Sequence, residues 1–290
     1  MSIPKTIRLS GGAAVATKRK TVMRPERFAP PPGERTVQEQ IDDLSPEEFE
    51  CFENLKRRWS EKYPDEADLF DDEMILRFAY CSPGPEKFNE AAAWKVMQNY
   101  DKRFLSLTAT YLEEQLSTKT LFPVPGLKTL KGGHDVFYMR PSRYSPKETP
   151  TELIIDNLGY CMASMQENNE DSAREGIGFV ANMNDWKMSN FSVDYCMQFM
   201  KMLQGKIPVR VRMFLIVNPP GWFGMIWSIM RPMLSEHFRE KVHLVPEGVL
   251  VYYLAEGFED FLPDEFSNGY ASTEDIVKDY IAYRKSVERA

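Results

Sequence analysis

The chain has 290 residues, a length that suits one large domain or a small helical domain followed by a larger one. Hydrophobic residues make up 43% and charged residues 27%, which is ordinary for a globular protein. The net charge of −7 at pH 7 argues against nucleic acid as a main partner, and we expect none.

The cysteines and the apolar runs indicate the compartment. Cys51, Cys81, Cys161 and Cys196 are far apart and lie mostly in apolar segments, which fits reduced, buried thiols better than a disulfide frame. The N-terminus has no apolar core of signal-peptide length, and no run reaches the roughly 18 residues of a membrane span. We therefore expect a soluble, cytoplasmic protein.

The first 118 residues divide into two parts. Residues 1–38 are basic and proline-rich without periodicity, so they are predicted to be a disordered leader. Residues 39–118 are predicted to form a small helical domain. Its first helix has Ser45 as N-cap and Pro46 in the first position, and a later helix begins near Asp71.

Residues 119–290 alternate strands with helices. Strands are predicted over residues 135–140, 176–183, 213–217, 242–245 and 249–254. Helices are predicted to begin near Thr149, to cover residues 191–203, and to begin at a capping Thr273, while residues 121–131 are predicted to be irregular. Such an alternation predicts an α/β fold with a largely parallel sheet and helices packed on it.

Residues 222–234 have the length of a helix but are apolar on two faces. One stripe at helical spacing is Phe223, Trp227, Met230 and Leu234, and the second is Met225, Ile226, Ile229 and Met233. A surface helix needs only one apolar stripe. The second stripe indicates a second apolar neighbour, which is more core, a ligand or a membrane surface.

Catalytic motifs are absent from the sequence. The three histidines have no metal-binding spacing, and there is no nucleophile elbow, phosphate-binding loop or dinucleotide fingerprint. Asp185 follows a predicted strand, but no base or nucleophile accompanies it. We therefore expect no enzymatic activity, no cofactor and no metal.

Four passages resemble the CRAL-TRIO lipid-binding family. They are DDEMILRFAY at 71–80, GIGFVANMNDW at 176–186, the strand, Asn-Pro turn and helix of 207–244, and FLPDEFSNG at 261–269 with STEDIVKDY at 272–280. The resemblance implies a mostly parallel sheet floor and a helical lid around one hydrophobic ligand. A small all-helical N-terminal domain would precede this lipid-binding domain.

The resemblance also implies two sets of site residues. The ligand pocket would be lined by Leu158, Met165, Ile177, Ala181, Trp186, Val211, Phe214, Phe223, Trp227 and Met230. Anionic lipid, including phosphoinositides, would be contacted by Arg210, Arg212, Arg231, His237 and Lys241. We therefore predict binding and transfer of an isoprenoid, retinoid, tocopherol-like or sterol-like lipid, with transient docking to anionic membranes.

Two other functions are considered. A phospholipid or phosphatidylinositol carrier is disfavoured because Met213 stands where that branch of the family has a headgroup lysine. A protein-interaction adaptor with a vestigial pocket is disfavoured because the lid remains strongly apolar.

Overall fold

The computed structural model describes residues 25–81 and 87–288. The first 24 residues of the predicted leader lie outside this range. Residues 37–117 contain the helices α1 Val37–Asp42, α2 Pro46–Lys62, α3 Asp72–Tyr80, α4 Glu90–Asn99 and α5 Glu113–Ser117. Within the described ranges, no helix has both the length and the apolar character needed to span a bilayer.

The start of α2 follows from its local sequence. The Ser45 hydroxyl accepts a hydrogen bond from the Glu48 amide, and the Glu48 carboxylate accepts one from the Ser45 amide. This capping box satisfies two of the amides that a helix leaves unpaired at its N-terminus. The predicted N-cap is therefore confirmed. Trp59 near the end of α2 packs on Phe70, with ring centroids 4.7 Å apart.

A five-stranded sheet occupies the second half of the chain. Its strands are β1 Leu121–Lys128, β2 Asp135–Met139, β3 Ile177–Asn182, β4 Val211–Val217 and β5 Val242–Val245, in the order β1-β2-β3-β4-β5. The strands from β2 to β5 pair in parallel, and β1 pairs antiparallel to β2 at one edge. The predicted largely parallel sheet is confirmed.

Helices connect and cover the strands. They are α6 Thr151–Gln166, α7 Val193–Leu203, α8 Phe223–Met230, α9 Glu236–Arg239 and α10 Thr273–Val287. Short 3₁₀ segments include Pro25–Phe28, Arg231–Met233 and Glu247–Tyr252, and a π-helical turn covers Asp171–Glu175. One continuous apolar core joins the N-terminal helices to the sheet.

Three predictions about these elements are wrong. Residues 121–128 form a strand despite Pro123 and Pro125, because an edge strand tolerates the loss of amide donors on its open side. Residues 247–252 are helical rather than a strand. The last helix is capped by the Ser272 hydroxyl, one residue before the predicted cap.

Residues 25–38 are predicted to belong to a disordered leader, but in the structure they contact the rest of the protein. Arg27 forms an ion pair with Asp279 of α10, whose side chain is fully buried. Phe28 packs on Tyr280, with ring centroids 5.2 Å apart. Arg35 forms ion pairs with Glu170, just before the π-helical turn, and with Asp43 at 2.8 Å. Proline-rich composition cannot reveal the contacts with Asp279, Tyr280 and Glu170, because these partners lie more than 100 residues away.

Candidate functional site

An apolar cavity of about 80 Å³ lies between the sheet and α8. Its floor consists of Ala181 from β3 and of Phe214 and Ile216 from β4, which are neighbours because β3 and β4 pair in parallel. Alternation along β4 places residues 214 and 216 on the same face. Among the described residues, no charged side chain lines this cavity.

The helix α8 covers the cavity with one of its two apolar stripes. Phe223, Trp227, Met230 and Leu234 all line the cavity, as their spacing indicates. On the other side, the exposed fractions of Met225, Ile229 and Met233 are 55%, 45% and 39%. Ile226 departs from the predicted outer stripe, because it is 1% exposed and belongs to the core.

The segment around α8 is fixed at both ends. Asn218, in a left-handed conformation with φ of 54°, donates from its amide group to Asn184 Oδ1 at 3.0 Å and accepts from the Glu247 amide at 2.9 Å. At the other end, the Gln204 side chain donates to the Met233 carbonyl at 3.1 Å and accepts from the Ser235 amide at 2.8 Å. The chain between these two anchors therefore forms a single covering unit.

Six of the ten predicted pocket residues meet in the cavity. They are Ala181, Trp186, Phe214, Phe223, Trp227 and Met230. Ile177 is buried four residues before Ala181, about 13 Å away along the strand, and Val211 borders a different cleft. Leu158 lies in the core, and Met165 lines a cleft near the N-terminal segment. These four residues do not line this cavity, and their part in a ligand pocket stays a prediction.

The sequence analysis missed the contribution of α7. Tyr195, Cys196, Phe199 and Met200 from this helix also line the cavity. Burial raises the pKa of the Cys196 thiol to about 12, so the thiol is neutral and adds no charge to the lining. The apolar periodicity of α7 could have shown that one face of this helix is buried, but not that this face borders a cavity.

An aromatic cluster closes the cavity at the carboxyl ends of β3 and β4. The Trp186 ring centroid lies 4.7 Å from that of Trp222 and 6.1 Å from those of Phe191 and Phe223. Because Trp222 immediately precedes α8, this cluster joins the loop after β3 to the covering helix. The neighbouring acid Asp185 pairs with Arg140 at 2.9 Å, which explains its position without catalysis.

A second cleft, of about 150 Å³, lies near the amino ends of the strands and is basic. Arg210, His237 and Lys241 line it, together with Cys81 from the end of α3. The Arg210 guanidinium is buried and donates to the Tyr80 carbonyl at 2.9 Å. Arg212 instead pairs with Glu175 at 3.1 Å, and Arg231 is exposed at the end of α8. Three of the five predicted basic residues are thus brought together.

The cations of this cleft repel one another. Burial, with the repulsion of Arg210 and Arg212, lowers the pKa of Lys241 to about 8. Burial and Lys241 also lower the pKa of His237, which is therefore mainly neutral at pH 7. Lys241 forms no salt bridge with any residue that the structure describes. A bound anion would relieve this repulsion.

In the described ranges, no group of three or more His, Cys, Asp or Glu side chains could hold a metal ion.

Comparison with known proteins gives one domain match and several distant relatives. Residues 127–267 match the family model described as the CRAL/TRIO domain. Alpha-tocopherol transfer protein-like from Homo sapiens is 25% identical over 195 residues, 63% of this chain and 54% of that protein. Tyrosine-protein phosphatase non-receptor type 9 from Homo sapiens is 24% identical over 111 residues, 38% of this chain and 18% of the phosphatase. The chain thus spans about half or less of these relatives.

A solved structure supports the same fold. The crystal structure of Sfh5 superposes with a TM-score of 0.52 at 12% identity, covering 85% of this chain and 99% of that one. At such low identity the likeness concerns the fold alone.

Proposed function

Since residues 127–267 form a CRAL/TRIO domain, we propose that this protein binds a hydrophobic small lipid and transfers it between membranes. The observation that carries the proposal is the apolar cavity beneath α8, a helix with one apolar stripe inward and one exposed. An isoprenoid, retinoid, tocopherol-like or sterol-like molecule fits the chemistry of the lining. We further propose a non-enzymatic, cytoplasmic protein that docks transiently to anionic membranes.

The size of the cavity indicates that α8 must move when ligand enters. Sites for drug-sized ligands have volumes of about 300–1,000 Å³, whereas the cavity holds about 80 Å³. Methionines from β2, from the loop after β3, and from α7 and α8 can change shape at low cost. We infer that the covering unit between Asn218 and Ser235 swings outward. At a membrane its exposed stripe would insert into lipid, which makes the free energy of opening lower there than in water.

The basic cleft supports docking through an anionic headgroup. Arg210 and Lys241 would meet a phosphoinositide phosphate, whose negative charge would offset the repulsion between the two cations. Arg212 is occupied by Glu175, so its role there would be to raise the positive potential rather than to bind. A phosphatidylinositol carrier is not favoured, since these cations lie in the cleft and not around the apolar cavity.

The division of the chain is also a proposal. We assign residues 39–118 to a helical N-terminal domain and residues 119–290 to the lipid-binding domain. The position of α2 to α5 before the boundary and of all five strands after it supports this assignment.

An adaptor with a closed cavity is the second candidate, and the small cavity volume favours it. Native mass spectrometry with organic extraction, followed by vesicle-to-vesicle transfer of fluorescent lipid analogues, separates the two. A carrier should retain a stoichiometric apolar ligand and accelerate transfer. A protein that is empty and leaves the transfer rate unchanged would be an adaptor.

Docking through the basic cleft predicts that Lys241→Gln loses affinity for anionic vesicles. This substitution removes an ammonium with no salt bridge of its own, so stability should be unaffected while affinity for phosphoinositide-containing vesicles falls about tenfold. Vesicle sedimentation measures the affinity, and Lys206→Gln at a nearby exposed site is the matched control. Arg210 is unsuited to this test because it is buried and supports Tyr80. Equal sedimentation of the two variants would contradict docking through this cleft.

The same cleft predicts a dependence on pH. Because the pKa of Lys241 lies at about 8, its ammonium is charged below that pH and neutral above it. Vesicle affinity should therefore fall as the pH rises from 7 to about 9, with a midpoint above 8 where a bound anion raises the pKa. Lys241→Gln should flatten this profile, and an unchanged profile in the variant would assign the titration to another group.

A further inference from the structure

Two residues that line the apolar cavity each carry a polar group without a hydrogen-bond partner among the described residues. The indole N–H of Trp186 and the phenol O–H of Tyr144 are fully buried and make no hydrogen bond with any described residue. The two side chains are 8% and 3% exposed, and both line the cavity. A buried donor without a partner costs about 1–3 kcal/mol, so such groups normally have a function.

Neighbouring residues do not satisfy these donors. The rings of Phe191, Trp222 and Phe223 pack around the Trp186 ring, and aromatic faces accept an N–H only weakly. The hydroxyls of Thr151 and Ser192 lie close enough to Tyr144 to oppose the burial-driven rise of its pKa. They do not meet hydrogen-bond geometry with it. Trp186 is therefore the clearer case.

Asn190 and Ser192, two other polar residues of the lining, already make hydrogen bonds. The Asn190 amide donates to the carbonyls of Ser142 and Tyr144, at 3.1 and 2.8 Å, and its oxygen accepts from the Lys187 amide at 3.0 Å. The Ser192 hydroxyl accepts from the Tyr195 amide. The cavity thus offers a ligand unused donors but no charged partner among the described residues.

We propose that Trp186 anchors the ligand by donating its indole N–H to one uncharged oxygen, with Tyr144 as a secondary donor. This inference rests on the proposed lipid-binding function and narrows the ligand class. An ether, ketone, aldehyde or alcohol oxygen on a hydrocarbon body fits, because it accepts the N–H. A carboxylate or phosphate does not fit, because burying a charge without a counter-ion is costly. A pure hydrocarbon leaves the donor unpaired.

The test uses three probes with the same branched chain: phytane, phytanyl methyl ether and phytanic acid. Each is offered to the full-length protein in phosphatidylcholine vesicles, and the protein-bound fraction is extracted and quantified. We expect wild type to prefer the ether over phytane about tenfold, as one buried hydrogen bond predicts, and phytanic acid to bind least at pH 8.

Trp186→Phe should bring the preference for the ether over phytane to within about twofold. The matched control is Trp227→Phe, which removes a half-buried indole from the same cavity. This control is expected to weaken the binding of ether and phytane equally and to retain the tenfold preference for the ether. A role of Trp186 in packing alone would also lower both affinities together, so the ratio distinguishes anchoring from packing.

Wild type alone gives a second readout, should Trp186→Phe fold poorly. The indole proton resonance of Trp186 should move downfield with the ether and stay in place with phytane. Equal affinity of wild type for ether and phytane, or an unmoved resonance, would overturn the anchor while leaving lipid binding intact. If none of the probes binds, the proposed function fails and the anchor fails with it.

Discussion

Replacing Met225 and Ile229 by glutamate is expected to reduce vesicle affinity about a hundredfold and to stop lipid transfer. Both side chains are exposed on the outer stripe of α8, at 55% and 45%. Insertion of the two would bury apolar surface worth roughly 3 kcal/mol in total, and carboxylates at the membrane boundary would oppose it further. Vesicle sedimentation and a transfer assay with a fluorescent lipid measure the two effects.

The same variant should retain its ligand in solution and its thermal stability, because neither side chain lines the cavity. The matched control is Val251→Glu with Tyr252→Glu, an equally exposed apolar pair at 55% and 72% in a different part of the fold. This control should transfer lipid normally. Loss of transfer in both variants would indicate a general effect of added negative charge, and normal transfer in both would refute insertion of α8.

Arg27→Met is expected to lower the free energy of unfolding by about 2–3 kcal/mol. Arg27 pairs with the fully buried carboxylate of Asp279, and removing one partner of a buried pair is destabilising because the remaining carboxylate loses this ion pair. The expected loss is below the usual range for buried pairs because Arg27 keeps 22% exposure. Urea denaturation followed by circular dichroism measures it.

Arg57→Met provides the control for this effect. Arg57 pairs with Glu61, but both side chains are 60% exposed, so its loss should change stability little. Combining Arg27→Met with Asp279→Asn should cost less than the sum of the single changes, because the two residues share one interaction. Additive losses, or a loss in Arg27→Met no larger than in Arg57→Met, would mean that residues 25–38 do not stabilise α10.

The covering helix shows how far local sequence can lead. The two stripes of residues 222–234 predicted two apolar faces with different neighbours, and in the structure one face lines the cavity while the other, except for Ile226, is exposed. The predicted helix nevertheless ends earlier, at Met230, because Pro232 lacks the amide donor that a continuing helix needs. Periodicity reveals which side chains share a face, and proline limits where that face can continue.

The basic residues show that local sequence does not predict the interaction partners of a side chain. Arg210 immediately precedes β4 and Arg212 lies within it, yet Arg210 supports Tyr80 in the cleft and Arg212 pairs with Glu175. Nothing in the sequence around either residue indicates these partners. Lys241 has a lowered pKa only because the fold buries it beside both arginines.

The sequence by itself determined strands β2 to β5, most of the helices, the N-cap of α2 and the two-faced character of α8, because each depends on residues within one or two turns of each other. The tertiary structure decided which side chains share the cavity, how residues 25–38 pack on α10, and where donors remain unpaired. Trp186 is the clearest example. Its indole could have been satisfied by any neighbouring carbonyl, and only the packing of Phe191, Trp222 and Phe223 around it leaves the donor unpaired.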